Sequence, residues 1–69
     1  MTIRDMCIAG IEIQGLVTVK YWDDDDNCVI LFDDYAERIG DQDFLDMEIR
    51  YIYSLFNGTL VFEVSPEDD

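Results

Sequence analysis

Four aspartates and an asparagine in succession, Asp23-Asp24-Asp25-Asp26-Asn27, form the densest set of oxygen ligands in the chain, and hard divalent cations are bound by oxygen. Asp23, Asp25 and Asn27 fall at the first, third and fifth positions of an EF-hand loop, Ile30 at the eighth and Asp34 at the twelfth. The sixth position, which needs glycine for its sharp turn, is Cys28, and the twelfth is Asp where Glu ordinarily gives two oxygens. The segments on both sides read as strands, whereas an EF-hand has helices there. No metal site is expected. The run reads instead as a hairpin tip whose charge also discourages edge-to-edge aggregation.

Other catalytic chemistry has little material. The sequence contains no His, the few Ser and Thr have no evident base, and Cys7 and Cys28 sit in apolar patterns that read as two buried thiols without a disulfide. A carboxylate pair alone would require a substrate cleft that 69 residues leave little chain to build. The expectation is a protein that is not an enzyme and uses no cofactor.

The elements that position these residues follow from periodicity. Thr2 and Asp5 resemble a capping pair opening a short helix, with Ile3, Met6 and Cys7 on one side and Gly10 placed to stop it. From Ile11 the pattern turns to alternation, Gly15 suggests a bulge, and Leu16 to Trp22 is rich in β-branched and aromatic residues. Cys28 to Asp33 reads as the antiparallel partner. A four-residue turn over Asp23 to Asp26 sets Tyr21 opposite Cys28, Val19 opposite Ile30 and Val17 opposite Phe32, with Thr18, Lys20 and Asp33 on the other face. Asp34 and Glu37 mark a second helical start, Gly40 a break, and Asp41 a cap for one more turn through Phe44 and Leu45. Met47 to Phe56 and Thr59 to Val64 form a second hairpin around Asn57-Gly58, a dipeptide favoured in two-residue turns. That turn places Leu55 opposite Leu60, Tyr53 opposite Phe62 and Tyr51 opposite Val64 on one apolar face, and Ser65 to Asp69 is a polar exit. The expected fold is a single α+β domain over residues 1–69, αββαββ, whose two hairpins make a four-stranded antiparallel sheet with short helical segments on one face.

The segments Thr-Ile-Arg-Asp-Met at 2–6, Val-Thr-Val-Lys-Tyr-Trp-Asp at 17–23 and Met-Glu-Ile-Arg-Tyr-Ile-Tyr at 47–53, with Gly-Thr-Leu-Val-Phe-Glu-Val at 58–64, resemble the small acidic uncharacterised proteins of phages and mobile elements of Gram-positive bacteria. Those motifs set a fold and bring no catalytic residues. The resemblance implies a phage setting, in which small acidic proteins include anti-CRISPR inhibitors of host defence and DNA mimics.

Charge carries the functional expectation. Seventeen Asp and Glu face four Lys and Arg, a net charge of −13, beyond the magnitude of roughly 2 to 8 that solubility asks of a small domain. Such a field repels nucleic acid and anionic membrane and steers the protein onto basic surfaces. Asp23, Asp24, Asp25 and Asp26 form one candidate patch, and Asp33, Asp34, Glu37, Asp41, Asp43 and Asp46 a second. Alternate carboxylates on an extended strand lie about 6.6 Å apart, of the order of successive phosphates. The expected function is a non-enzymatic inhibitor that mimics nucleic acid on a basic site of a Cas effector or another host DNA-binding enzyme. The alternative is an assembly adaptor, or a homodimer, that uses an apolar patch of Trp22, Ile52, Phe56 and Val61. No apolar run approaches the ~20 residues of a membrane span, and Arg4 and Asp5 near the start do not read as a secretory signal; a cytoplasmic location is expected.

Overall fold

Thr2 fixes the first element. In a computed structural model of the chain, which describes residues 1–66, its hydroxyl accepts from the Asp5 amide at 3.0 Å while the Asp5 carboxylate accepts from the Thr2 amide at 3.1 Å. This reciprocal capping box opens α1 (Ile3–Ile8), satisfying amides that the first helical turn leaves without partners. The helix is capped at Ala9, and Gly10 takes a φ of 89°, so it stops where the sequence places the break. Ile11 to Gln14 form no strand; the alternation there belongs to an irregular connection.

Four strands follow: β1 (Leu16–Trp22), β2 (Cys28–Tyr35), β3 (Glu48–Ser54) and β4 (Leu60–Ser65). They lie in the order β2-β1-β4-β3. Both hairpins are antiparallel, but they join through β1 and β4, which run parallel with Val17 beside Leu60 and Val19 beside Phe62. The sheet is therefore mixed, which corrects the all-antiparallel expectation. The cause lies in the connection after β2, which leaves one edge of the sheet and arrives at the other, so the first and last strands meet in the middle. These are the strands whose apolar side chains are most fully enclosed: Val17, Val19, Val61 and Phe62 are at most 1% exposed, as central strands require.

The registers also differ from expectation, for one shared reason. The Asp23 amide donates to the Asn27 carbonyl and the Asp26 amide to the Asp23 carbonyl; likewise the Leu55 amide donates to the Thr59 carbonyl and the Gly58 amide to the Leu55 carbonyl. Each hairpin thus turns through three residues, the third at positive φ, Asp26 at 63° and Gly58 at 89°. A one-residue change of register reverses the facing of one strand against the other. Trp22 pairs with Cys28, Lys20 with Ile30 and Val19 with Phe32; Tyr53 pairs with Val61, Ile52 with Phe62 and Tyr51 with Glu63. Register shifts leave Leu31 and Arg50 without opposite partners, both in edge strands. The shift at Leu31 lets Leu31 and Phe32 both pack toward the core, while Ile30 stays more than half exposed.

The connection is two short 3₁₀ turns, η1 (Ala36–Arg38) and η2 (Asp43–Asp46). Asp34 does not open a helix, because β2 runs on through Tyr35, and Asp41 does not cap the second turn, whose flanking residue is Gln42. The turns still deliver Ile39, Phe44 and Leu45 to the core beside Ile3, Val17, Val19, Phe62 and Val64. Phe32 and Phe44 meet at a ring distance of 6.0 Å, within the range of favourable aromatic pairs. All of this packing lies on one face of the sheet. Cys7 and Cys28 are free and exposed, not buried as expected: Cys7 lies one turn beyond the buried Ile3 near the end of α1, and Cys28 opens an edge strand. Among the described residues no helix is long and apolar enough to cross a membrane. Of the polar exit, Glu67 to Asp69 lie outside the described residues.

Candidate functional site

The acidic tip is a tight turn, so its carboxylates do not form the row an extended strand would give. Asp23 is committed to the loop: its Oδ1 accepts from the Asp25 amide at 2.9 Å and the Asn27 amide at 2.8 Å, the local hydrogen bonding that makes Asp a turn residue. Asp24, Asp25 and Asp26 remain exposed. Among the described residues no basic side chain pairs with them, and no group of three or more His, Cys, Asp or Glu is arranged to hold a metal ion.

The second acidic set is not a single patch. Asp33 and Asp34 point to opposite faces of β2; Asp33 accepts from the Thr18 hydroxyl at 3.1 Å, and Asp34 lies 3.7 Å from Arg38. Asp41 and Asp46 converge on Arg4, whose Nε reaches Asp46 at 2.6 Å and whose Nη2 reaches Asp41 at 3.2 Å. These bonds, to Asp46 first and Asp41 second, raise the pKa of the guanidinium. Glu37 and Asp43 stay exposed and have no basic partner among the described residues. Two of the four basic side chains, Arg4 and Arg38, are thus spent on this region, which leaves the tip as the denser unneutralised site. Because β1 and β4 are parallel, the tip shares its end of the sheet with Ser65 and Pro66, and the Phe56 turn lies at the opposite end.

The expected apolar patch does not assemble. Trp22 is on the face opposite the core, Ile52 shares the helical side with Phe62, Phe56 projects from the second turn, and Val61 is buried at 1% exposure. The structure groups a different set. Glu63 accepts from the Trp22 indole at 3.1 Å and from the Tyr53 hydroxyl at 2.6 Å. The Lys20 ammonium lies 5.9 Å from the centroids of both rings, within cation–π range. Its pKa is raised, chiefly by the Tyr53 hydroxyl against a smaller effect of burial. Tyr51 stands beside Glu63, and Ile30 beside Lys20. The three-residue turn brought Tyr51 and Tyr53 here from the core face the sequence assigned them. The signal available beforehand was Asn57-Gly58 itself, since Gly also serves as the third residue of a longer loop.

An apolar groove of about 450 Å³ lies on the helical side, lined by Ile3, Cys7, Ile11, Ile13, Ile39 and Leu45, with Glu12 at its margin. Cys7 has no His to act as its base, since the chain has none. No protein-family model, curated protein or solved structure matches the chain, so its functional reading rests on its own side chains.

Proposed function

We propose that the protein is a non-enzymatic inhibitor that occupies a positively charged nucleic-acid-binding site on another protein, the target class being a bacterial defence nuclease such as a Cas effector. The observation that carries this reading is the net charge of −13 together with the tip of the first hairpin, where three consecutive residues, Asp24, Asp25 and Asp26, are exposed and have no basic partner among the described residues. A Cas effector holds its heteroduplex in a basic channel and reads its short DNA motif with Arg, both surfaces that such a tip approaches favourably. The tip replaces the Asp33 to Asp46 region as the preferred contact, because Arg4 and Arg38 already offset carboxylates there.

The test compares Asp24, Asp25 and Asp26 changed together to Asn with Asp41, Asp43 and Asp46 changed together, in a DNA-cleavage assay with a purified, guide-loaded Cas9. The first variant is expected to lose inhibition, by about 2 to 5 kcal/mol of affinity for each partner Arg left buried, and the second to keep most of it. In the wild type, added salt should slow association. Equal inhibition by the wild type and both variants would refute the charge-based mechanism.

A further inference from the structure

We propose that the open face of the sheet is the surface that anchors the partner, and that its occupant is a protein surface with an apolar centre bordered by Arg and Lys. The inference rests on the charge reading above for the sign of the partner and adds the surface that holds it. The helical elements pack on the other face, leaving Trp22, Ile30 and Tyr51 at 51%, 53% and 64% exposure on this one. Large aromatic side chains with a polar handle are the residues that dominate protein interfaces. Two of the aromatic rings on this face, Trp22 and Tyr53, are held in place before any partner arrives: Glu63 bonds both, and Lys20 sits against both rings. Holding side chains in one arrangement lowers the entropy lost on association. On the same face Val61, between Thr18 and Tyr53, is already dry at 1% exposure.

The border of this face determines its occupant. Asp24 to Asp26 lie just beyond Trp22 and Asp33 lies on β2, all exposed and without a basic partner among the described ion pairs, so carboxylates form a partial ring at the tip and along β2, whereas on β3 Glu48 is paired with the amino terminus and Arg50 is exposed. A second copy would bring a like ring and a net −13 against it, which is repulsive. A partner with Arg and Lys around an apolar centre complements both the centre and the ring.

Two synthetic peptides probe this: an amphipathic helix with a leucine stripe bordered by arginines, and a scrambled peptide of the same composition. The chain has one Trp, so fluorescence reports Trp22 alone, and calorimetry measures the variants. The striped peptide is expected to bind the wild type more tightly than the scrambled one and to shift the Trp22 emission. Trp22→Ala and Tyr51→Ala should each weaken the striped peptide about tenfold or more while leaving the scrambled one unchanged, with melting curves confirming that both variants fold. Equal affinity for the two peptides, or a striped-peptide affinity indifferent to both substitutions, overturns the docking face and leaves the acidic tip as the whole interaction. Binding of the striped peptide that survives Asp24→Asn, Asp25→Asn and Asp26→Asn together but is lost with Trp22→Ala keeps the face and overturns the charge-based reading. A dimer in sedimentation velocity that Tyr51→Arg dissociates would make the occupant a second copy and overturn the basic partner.

Discussion

Asp26, at a φ of 63°, occupies in the first hairpin the position that Gly58, at 89°, occupies in the second. Both are the third residue of a three-residue turn closed by the same pair of backbone hydrogen bonds. Glycine has no Cβ to resist this left-handed conformation, and Asp resists it less than most residues. Asp26→Gly is accordingly expected to stabilise the protein by about 0.5–1 kcal/mol, and Gly58→Val to destabilise it by more. Asp26→Asn keeps the conformational preference and removes the charge, so comparing the three in urea unfolding separates backbone strain from repulsion. A less stable Asp26→Gly variant would show that this turn is not strained.

The amino terminus supplies a pH dependence. Its ammonium donates to Glu48 Oε2 at 2.7 Å, and this hydrogen bond raises its pKa above the ordinary 8.0. A group whose pKa is raised by folding contributes stability that is fully present below its unfolded value and lost as pH rises through the folded one. Melting temperature should therefore decline on going from about pH 7 to pH 10, and Glu48→Gln should reduce that decline. An identical slope in the variant would assign the effect to other groups.

Arg4 joins α1 to the second 3₁₀ turn by neutralising two carboxylates at once. Arg4→Met removes the only charge opposing Asp41 and Asp46 among the described ion pairs. The variant should melt lower than the wild type in dilute buffer, and the gap should narrow in about 0.5 M salt, where exposed charges are screened within a few ångströms. A gap that persists unchanged would mean that Arg4 acts through packing of its aliphatic stem.

Phe62 and Val61 are adjacent, both enclosed, and on opposite faces. Phe62→Ala opens the main core and should cost about 3–5 kcal/mol, enough to unfold so small a domain. Val61→Ala deletes less volume, on the other face beside Tyr53, so the variant should remain folded and lose less stability than Phe62→Ala. Chemical denaturation followed by fluorescence checks both; an equal loss in the two variants would refute the ranking.

Much of this architecture can be read from local pattern. Thr2 and Asp5 announce their capping box, runs of β-branched and aromatic residues mark β1 and β4, and Gly10 ends α1. What local pattern leaves open is the number of residues in each turn, because Asn57-Gly58 fits a two-residue or a three-residue loop and each choice sends Tyr51 and Tyr53 to a different face. Strand order is also non-local. Val61 and Phe62, consecutive and apolar, do hint that β4 is covered on both faces and hence central. The acidic tip is recognisable from four Asp in a row, whereas the division of Asp33 to Asp46 depends on Arg4 arriving from the far end of the sequence.

The parallel pairing of β1 with β4 also shapes how the chain reaches its native state. Each hairpin closes through neighbours in sequence, a local and rapid event. Val17 meets Leu60 only after the intervening chain has been gathered, and the entropy of that closure comes before the contacts that reward it. The central seam therefore delays assembly, and a mutation at Val17 or Leu60 is felt in the refolding rate to the extent that the seam is already formed at the barrier.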